Sequence, residues 1–225
     1  MEKIGFFITL SIIISFSSYA QRNQGQTMES RIGVTYSTFG EHSIVRFQET
    51  EDEAGFSIRS NSNSNGNQFY VSGINYLYQL NNAIEFETGI EYANHKFYIV
   101  STDPLIDAKG INTTISVIDI PLSLRVNFAR YFYINSGLNV DIHVTRSEYI
   151  DSQTGIGGII GVGLKYDSHF GVSVFVNPYF KAYSLLPFTA ADNHQRLMES
   201  GLRFGLMYKL NLNKKNNEKY RLPCS

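Results

Sequence analysis

Apolar and polar residues alternate with a period of two along most of the chain after residue 30. In the last such segment, the apolar positions are Leu202, Phe204, Leu206, Tyr208, Leu210 and Leu212. This period indicates strands with one apolar face, because successive side chains of a strand point to opposite sides. The pattern predicts eight strands, over residues 32–36, 70–80, 84–92, 118–128, 132–144, 160–166, 170–180 and 202–212.

The connections between these strands alternate strictly between short and long. Residues 81–82, 129–131 and 167–169 form hairpin-length turns, whereas residues 40–68, 98–114, 146–156 and 186–198 form long connections. Short turns at one end and long loops at the other, on an even number of antiparallel strands, are typical of outer-membrane barrels. We therefore predict an all-β fold, namely an eight-stranded antiparallel up-and-down transmembrane β-barrel. Its short turns and both mature termini are expected in the periplasm, and its long loops outside the cell.

The start of the chain predicts export. Lys3 lies in a short basic start, residues 4–16 are apolar but too few to span a membrane, and residues 18–20 end in a small-x-small pattern. This arrangement is typical of a secretory signal peptide that is cleaved, here after Ala20. The predicted organisation is a signal peptide (1–20), a short periplasmic segment (21–29), an outer-membrane barrel domain (30–213) and a flexible periplasmic tail (214–225).

The two faces of the predicted strands differ in charge. The apolar face includes no charged residue, as lipid contact requires, because a Lys or Arg at mid-bilayer costs about 2–4 kcal/mol. The opposite face carries acids and bases in equal number, so we predict a nearly neutral network of paired charges in the lumen. This lumen charge network comprises Glu85, Glu87, Glu91, Asp119, Arg125, Asp141, His143, Lys165, Lys181, Arg203 and Lys209.

Aromatic residues on the apolar face flank the short turns. In membrane barrels such residues form girdles at the bilayer interfaces. We therefore predict an aromatic girdle at the periplasmic interface, made by Tyr78, Phe86, Phe128, Phe132, Tyr166, Phe170 and Tyr208.

Two prolines fall inside predicted strands. Pro121 lies in the fourth strand and Pro178 in the seventh. Proline has no N–H to donate, and a closed barrel has no edge strand where that loss would be harmless. We expect a bulge or a break in the hydrogen-bond ladder at each proline.

The composition excludes several other classes of protein. The 225-residue chain has 17% charged and 14% aromatic residues and a formal net charge of −1, so nucleic acid is not an expected partner. One cysteine, Cys224, leaves no intrachain disulfide, and the dispersed histidines show no metal-ligand spacing, so no metal or cofactor is expected. The expected partners are outer-membrane lipids, lipopolysaccharide and other envelope proteins, and we expect a monomer.

Three short runs resemble one family of membrane barrels. They are IDIPLSL at residues 118–124, YINSG at 133–137 and GVGLKY at 161–166. Through them the chain resembles the PorT-like, or OmpX-like, outer-membrane β-barrel domain over roughly residues 31–213. The resemblance implies the fold and the compartment, and it associates some members with protein secretion across the outer membrane. It implies no functional residue.

The leading functional hypothesis is a small outer-membrane barrel that acts without catalysis. Eight strands leave an interior that side chains fill, so its external loops would serve in binding, adhesion or envelope and secretion assembly. The first loop contains the acidic residues 49–53 and an Asn-rich stretch at 61–67, and we expect it to be hydrated and mobile. A soluble periplasmic lipocalin-like ligand-binding barrel is an alternative, although the chain lacks the Trp that such proteins usually show.

A membrane-embedded acyl hydrolase is the catalytic alternative. Such chemistry needs a nucleophile beside a base that a third group orients. The sequence offers one local group of this kind, His143 with Thr145, Ser147 and Glu148. Because His143 is expected in the lumen as a hydrogen-bonded side chain, we expect no enzymatic activity. The glycine-rich residues 155–163 lack the Lys-Ser/Thr pair of a phosphate loop, and we interpret them as strand glycines.

Overall fold

The computed structural model describes residues 29–45, 56–60, 69–101, 111–128, 130–145, 150–189 and 194–210. Of residues 56–60, 98–101 and 111 it describes the backbone alone. The predicted signal peptide, the acidic and Asn-rich stretches of the first loop, Ser147, Glu148 and the tail with Cys224 lie outside the described residues.

The described residues form nine strands, and eight of them close into an antiparallel barrel. Each barrel strand pairs with the next one along the chain, and the first pairs with the last, so the predicted eight-stranded up-and-down barrel is confirmed. Among the described residues, no helix has the length and apolar character needed to cross a membrane. The strands are β1 (Ser30–Val45), β2 (Phe56–Ser60), β3 (Phe69–Gln79), β4 (Ile84–Ser101), β5 (Ile111–Asn127), β6 (Phe132–His143), β7 (Gly155–Asp167), β8 (Val172–Pro187) and β9 (Arg196–Leu210).

The strands extend further into the long connections than the alternation predicts. β1 continues to Val45, β4 to Ser101 and β8 to Pro187, all within residues expected to be loops. The additional strand outside the eight of the barrel, β2, also lies in residues that were expected to be loop. It pairs with the end of β4, from Phe97 to Ser101. The wall of the barrel therefore rises well above the region of regular alternation at the end with the long connections, here called the distal end. The end with the short turns is called the proximal end.

The ladder is broken at both prolines, as expected. Two consecutive pairs between β4 and β5 are missing at Pro121 and the residue before it, and two between β7 and β8 are missing at Pro178 and the residue before it. The register is the same on the two sides of each break, so neither proline forms a bulge. On its other side each proline stays in a continuous ladder, because its missing donor faces one neighbour only.

Two bulges occur at residues that the sequence did not single out. Phe39 and Ser184 are the described non-glycine residues with positive φ, 56° and 46°. Phe39 lies where the β1–β9 register shifts, between Thr38 and Glu41. Ser184 lies where β8 carries extra residues opposite Gly157. The β1 bulge adds one residue and so exchanges the faces of the residues that follow it, because the side-chain period of a strand is two. The β8 bulge adds two residues, so it turns Ser184 inward while Leu186 again faces outward like Phe180.

An apolar belt surrounds the outside of the barrel. No described residue on the outward face of this belt is charged, from the aromatic residues at the proximal end up to Tyr36, Tyr70 and Tyr92. An apolar exterior over a polar interior is the arrangement of a transmembrane barrel. The exposed belt residues include Ile32, Val34, Ile74, Ile90, Leu122, Leu124, Ile134, Leu138, Ile160, Val162, Leu164, Val174, Val176 and Leu206.

Candidate functional site

The lumen is the first candidate site, and its proximal mouth is lined by ion pairs. Arg31 Nη1 lies 3.1 Å from Asp167 Oδ1 and 3.6 Å from Glu85 Oε1. Lys165 Nζ lies 3.2 Å from the same Glu85 oxygen. A further pair joins Lys209 to Glu29, which the structure places at the rim. These groups are partly accessible to water, and by themselves they do not close the lumen.

An apolar layer lies directly above this mouth. It consists of the buried side chains of Leu77, Tyr133, Phe175 and Met207. The rings of Tyr133 and Phe175 meet edge to face, with centroids 6.2 Å apart. We call these four residues the lower plug.

Buried charges are stacked on the lower plug. Arg125 Nε lies 2.7 Å from Glu87 Oε2, and its Nη2 donates to Glu87 Oε1 at 2.9 Å. The Arg125 guanidinium also lies over the Phe175 ring, with Cζ 4.2 Å from the centroid. Arg203 Nη1 bridges Glu87 Oε1 at 3.2 Å and Glu91 Oε1 at 3.5 Å. Each of these charges has a partner of opposite sign, as burial requires.

The charged layer continues upward on β5, β8 and β9. Lys181 Nζ donates to Asp119 Oδ2 at 2.8 Å. Glu199 is fully buried and accepts a hydrogen bond from the Tyr183 hydroxyl at 2.7 Å, and His95 Nε2 lies 3.1 Å from the same oxygen. This upper part keeps every acid beside a donor or a cation.

A second apolar layer covers the charges at the distal end of the lumen. We call this layer the upper plug. Its largest side chains are those of Phe97, Tyr183, Ile115, Leu197 and Phe69, and all of them are buried. The charged layer is therefore enclosed between two apolar plugs. An ion would have to cross both plugs to pass through the lumen.

Most residues of the predicted charge network face the lumen. Glu85, Glu87, Glu91, Asp119, Arg125, Asp141, Lys181 and Arg203 are buried there, and Lys165 is half-buried at the proximal mouth. Lys209 lies at that mouth with its side chain 35% exposed. His143 is not part of the ion-pair network, because it lies at the distal end of β6, where its Nδ1 accepts a hydrogen bond from the Gln153 amide at 3.3 Å.

Several lumen charges were not identified from the sequence. Arg31 and Asp167 sit just outside the predicted strands, so no face was assigned to them. Glu199 lies in the part of β9 that precedes the predicted strand, and His95 in the part of β4 that follows it. Continuing the alternation past Leu202 and Tyr92 would have assigned Glu199 and His95 to the lumen.

Glycines on the lumen face provide the space for these large side chains. A Cβ at Gly163 would lie 2.2 Å from Cζ of Tyr133, and one at Gly205 would lie 2.1 Å from Cε1 of Phe175. A Cβ at Gly157 would lie 2.3 Å from the Asn139 amide nitrogen. The glycine-rich run of β7 therefore makes room for the lumen contents.

The predicted girdle residues lie on the outward face near the proximal turns. Phe128, Phe132, Tyr166, Phe170 and Tyr208 are exposed, and Tyr78 and Phe86 are half-buried. The rings of Phe128 and Phe132 lie against each other with centroids 5.9 Å apart, across the turn between β5 and β6.

The distal end is the second candidate site, and a buried glutamine joins two of its connections. Gln153 precedes β7, and its Nε2 donates to the Gln195 carbonyl at 2.8 Å. Its Oε1 accepts a hydrogen bond from the Leu197 amide at 2.8 Å. His194 lies beside this link, outside the strands, and burial lowers the pKa of its imidazole while Asp151 opposes that shift. Over the described part of the chain, no group of three or more His, Cys, Asp or Glu side chains could hold a metal ion.

A closed antiparallel barrel with an apolar exterior and a charged interior defines a transmembrane β-barrel of the outer-membrane type. The structure of this chain is similar to that of the outer membrane protein AlkL, which was determined by solid-state NMR in DMPC lipid bilayers. The TM-score is 0.52 and the identity 14%, over 88% of this chain and 97% of that chain. The outer membrane protein OprG from Pseudomonas aeruginosa gives a TM-score of 0.47 and 13% identity, over 82% and 97% of the two chains. The likeness to AlkL shows the fold.

Neither sequence comparison returns a relative. No protein-family model matches the chain, and no curated protein matches its sequence. The PorT-like assignment therefore stays a prediction.

Proposed function

We propose that the protein is a non-conducting outer-membrane barrel that holds a binding surface at its distal end. The role would be adhesion, or assembly of the envelope or of a secretion system. The observation that carries the proposal is the closure of the lumen at two levels, by the lower plug and the upper plug. A barrel that is closed in this way offers its outer wall and its loops for function, and not its interior.

The outer wall at the distal end suits contact with water and with a partner. Above the belt, the outward positions on β1, β4 and β5 are exposed and polar: Glu41, Ser43, Lys96, Asn112 and Thr114. We propose that this end faces the outside of the cell and that both mature termini lie in the periplasm. Lipids and lipopolysaccharide would then surround the belt, the binding partner would be another envelope or surface protein, and the barrel would be a monomer without cofactors. This binding role needs no catalytic step.

Conductance across a planar lipid bilayer tests the closed lumen. The refolded full-length protein should insert without producing conductance steps. A variant that empties the lower plug, Tyr133→Ala with Phe175→Ala, should also be silent, because the upper plug still closes the lumen. Stable open channels in the unmodified protein would refute the proposal.

Site-specific photocrosslinking in intact cells tests the binding surface. A photoreactive residue at Lys96 or Ser43 should give a discrete protein adduct, whereas the same residue at Phe132 in the proximal girdle should meet lipid. Adducts to a protein at Phe132 but at neither distal position would place the partner at the wrong end of the barrel.

A further inference from the structure

Three polar groups meet at the distal end, although they are far apart in the sequence. Ser184 lies near the end of β8, His194 just before β9 and Asp151 between β6 and β7. Ser184 Oγ lies 3.4 Å from His194 Nε2, and His194 Nδ1 lies 3.9 Å from Asp151 Oδ2. A hydroxyl, an imidazole and a carboxylate in this order are the parts of an activated nucleophile.

The backbone holds Ser184 in an unusual conformation. Its φ of 46° is in the left-handed region, where a non-glycine residue is uncommon and such strain often accompanies function. The bulge turns the Ser184 side chain inward beside that of Tyr183, and both are fully buried. Asp141 Oδ2 accepts a hydrogen bond from the Ser184 amide at 2.8 Å. This contact fixes the bulge. Ser184 Oγ then lies 3.4 Å from His194 Nε2 and 3.4 Å from the Thr154 carbonyl oxygen, so the carbonyl competes with the imidazole for the hydroxyl proton.

The imidazole and the carboxylate are also positioned by the fold. His194 Nδ1 is buried and makes no hydrogen bond, although Asp151 is the acid beside it. Asp151 Oδ2 accepts a hydrogen bond from the Gln195 amide at 2.9 Å, which holds the carboxylate next to the imidazole. A small rotation of His194 would bring Nδ1 within hydrogen-bond distance of Asp151, and active-site hydrogen bonds are often long before substrate binds.

We propose that Ser184 and His194 are the nucleophile and base of an acyl-ester hydrolase, with Asp151 as a positioning residue. In the first step Ser184 Oγ attacks the ester carbonyl carbon, and its proton moves to His194 Nε2. The bond from that carbon to the alcohol oxygen then breaks, and His194 returns the proton to the leaving alcohol. Water cleaves the acyl-serine in the same way and releases a carboxylic acid. This activity goes beyond the binding role, and it replaces the expectation of no enzymatic activity, which rested on His143 and its sequence neighbours.

The surroundings indicate an acyl chain as the substrate. Leu186 and Phe188 lie two and four residues after Ser184 on the outer surface, and these residues are 65% and 60% exposed. This apolar surface continues from the lipid-facing belt of β7 and β8. Ser184 itself is fully buried on the inner side of the wall, so an acyl chain lying on this surface would reach it only when the end of β8 opens. The substrate class that fits this surface is a long-chain acyl ester of a membrane lipid.

Covalent labelling of the refolded full-length protein in detergent micelles tests the nucleophile directly. A long-chain alkyl fluorophosphonate should form a bond from phosphorus to Ser184 Oγ with release of fluoride, and peptide mass spectrometry should locate the adduct. Hydrolysis of p-nitrophenyl palmitate gives the turnover of an ester. Heat-dependent gel mobility shows that each sample is folded. Folded protein without an adduct on Ser184 overturns the proposal.

Substitutions separate this site from its neighbours. Ser184→Ala should abolish labelling, and His194→Ala should reduce the labelling rate at least about 10²-fold. Ser152→Ala is the matched control, because Ser152 is an exposed serine in the connection that carries Asp151, and labelling should be unchanged. Asp151→Asn should lower the rate and shift its pH profile to lower pH, because the carboxylate raises the pKa of His194. Should Ser184→Ala fail to fold, the site of labelling in the unmodified protein decides. Loss of labelling in His143→Ala but not in His194→Ala would refute the assignment.

Discussion

Gly163 offers a sharp test of how the lumen is packed. A Cβ at this position would lie 2.2 Å from Cζ, 2.5 Å from Cε1 and 2.5 Å from the hydroxyl oxygen of Tyr133. Tyr133 is fully buried between the Phe175 ring and the Arg125 guanidinium, whose Cζ lies 4.9 Å from the Tyr133 centroid. The ring cannot retreat without displacing the charged layer. We expect Gly163→Ala to lower the free energy of unfolding by about 1–3 kcal/mol, the usual cost of overpacking.

Gly158 on the same strand is the matched control. A Cβ there points outward and meets only the flexible end of Leu185, at 3.3 Å, and the Gly137 carbonyl, at 3.8 Å. Gly158→Ala should therefore change the free energy of unfolding by no more than about 0.5 kcal/mol. Both variants replace glycine by alanine in β7, so differences in backbone entropy largely cancel.

Denaturant unfolding in detergent micelles, followed by far-ultraviolet circular dichroism, measures these changes. Tyr133→Ala removes the ring, so adding Gly163→Ala to it should cost little, and the double-mutant cycle should show a coupling of about 1–3 kcal/mol. Equal unfolding midpoints for Gly163→Ala and Gly158→Ala, or strictly additive effects in the cycle, would refute the account of the lumen glycines.

Three further predictions concern the buried charges and the distal end. Arg125→Met should cost about 3–5 kcal/mol in denaturant unfolding because it leaves Glu87 with a weaker set of partners, whereas Lys209→Met at the half-exposed rim should cost at most about 1 kcal/mol; similar losses would contradict the layered lumen. Gln153→Leu leaves the Leu197 amide without its acceptor, so amide hydrogen exchange at Leu197 should accelerate while that of the Met207 amide stays unchanged; unchanged exchange at Leu197 would contradict the link. Labelling of Ser184 requires neutral His194, whose pKa is lowered by burial, so the labelling rate should rise with pH to a plateau with a midpoint below about 6.5; a rate that keeps rising above pH 7 would point to another base.

The barrel and the contents of its lumen follow from alternation, because a period of two sorts every side chain to one face. Arg125, Glu87 and Arg203 could be placed together in the lumen from their positions on regular strands. Which of these charges pair with each other could not be predicted, because the pairing depends on the stagger between strands that are distant in sequence. Glycines such as Gly163 were recognised as strand residues, but their role depends on Tyr133 of the neighbouring strand, which no local pattern contains.

The distal end was harder to predict for two physical reasons. Bulges at Phe39 and Ser184 interrupt the alternation, so a face assigned from the regular part of β1 no longer applies beyond Phe39, and one assigned from β8 fails at Ser184 itself. The group of Ser184, His194 and Asp151 is assembled from the end of β8 and two connections, and only the closed barrel brings these together. Local spacing favoured His143 instead, whose Nδ1 is already occupied by the Gln153 amide.

A sequence change has different consequences in the lumen and at the distal end. Both plugs and the charges between them are built from side chains on many strands, each in contact with the next, so opening the lumen would require several simultaneous substitutions. The distal groups come instead from the ends of strands and from connections, where a change need not disturb the packed contents of the lumen. New chemistry or a new binding partner can therefore arise at the distal end while the barrel is retained, in keeping with sites that are grafted on a stable fold. For this reason Ser184, His194 and the wall around Lys96 are better guides to the role of this protein than its fold.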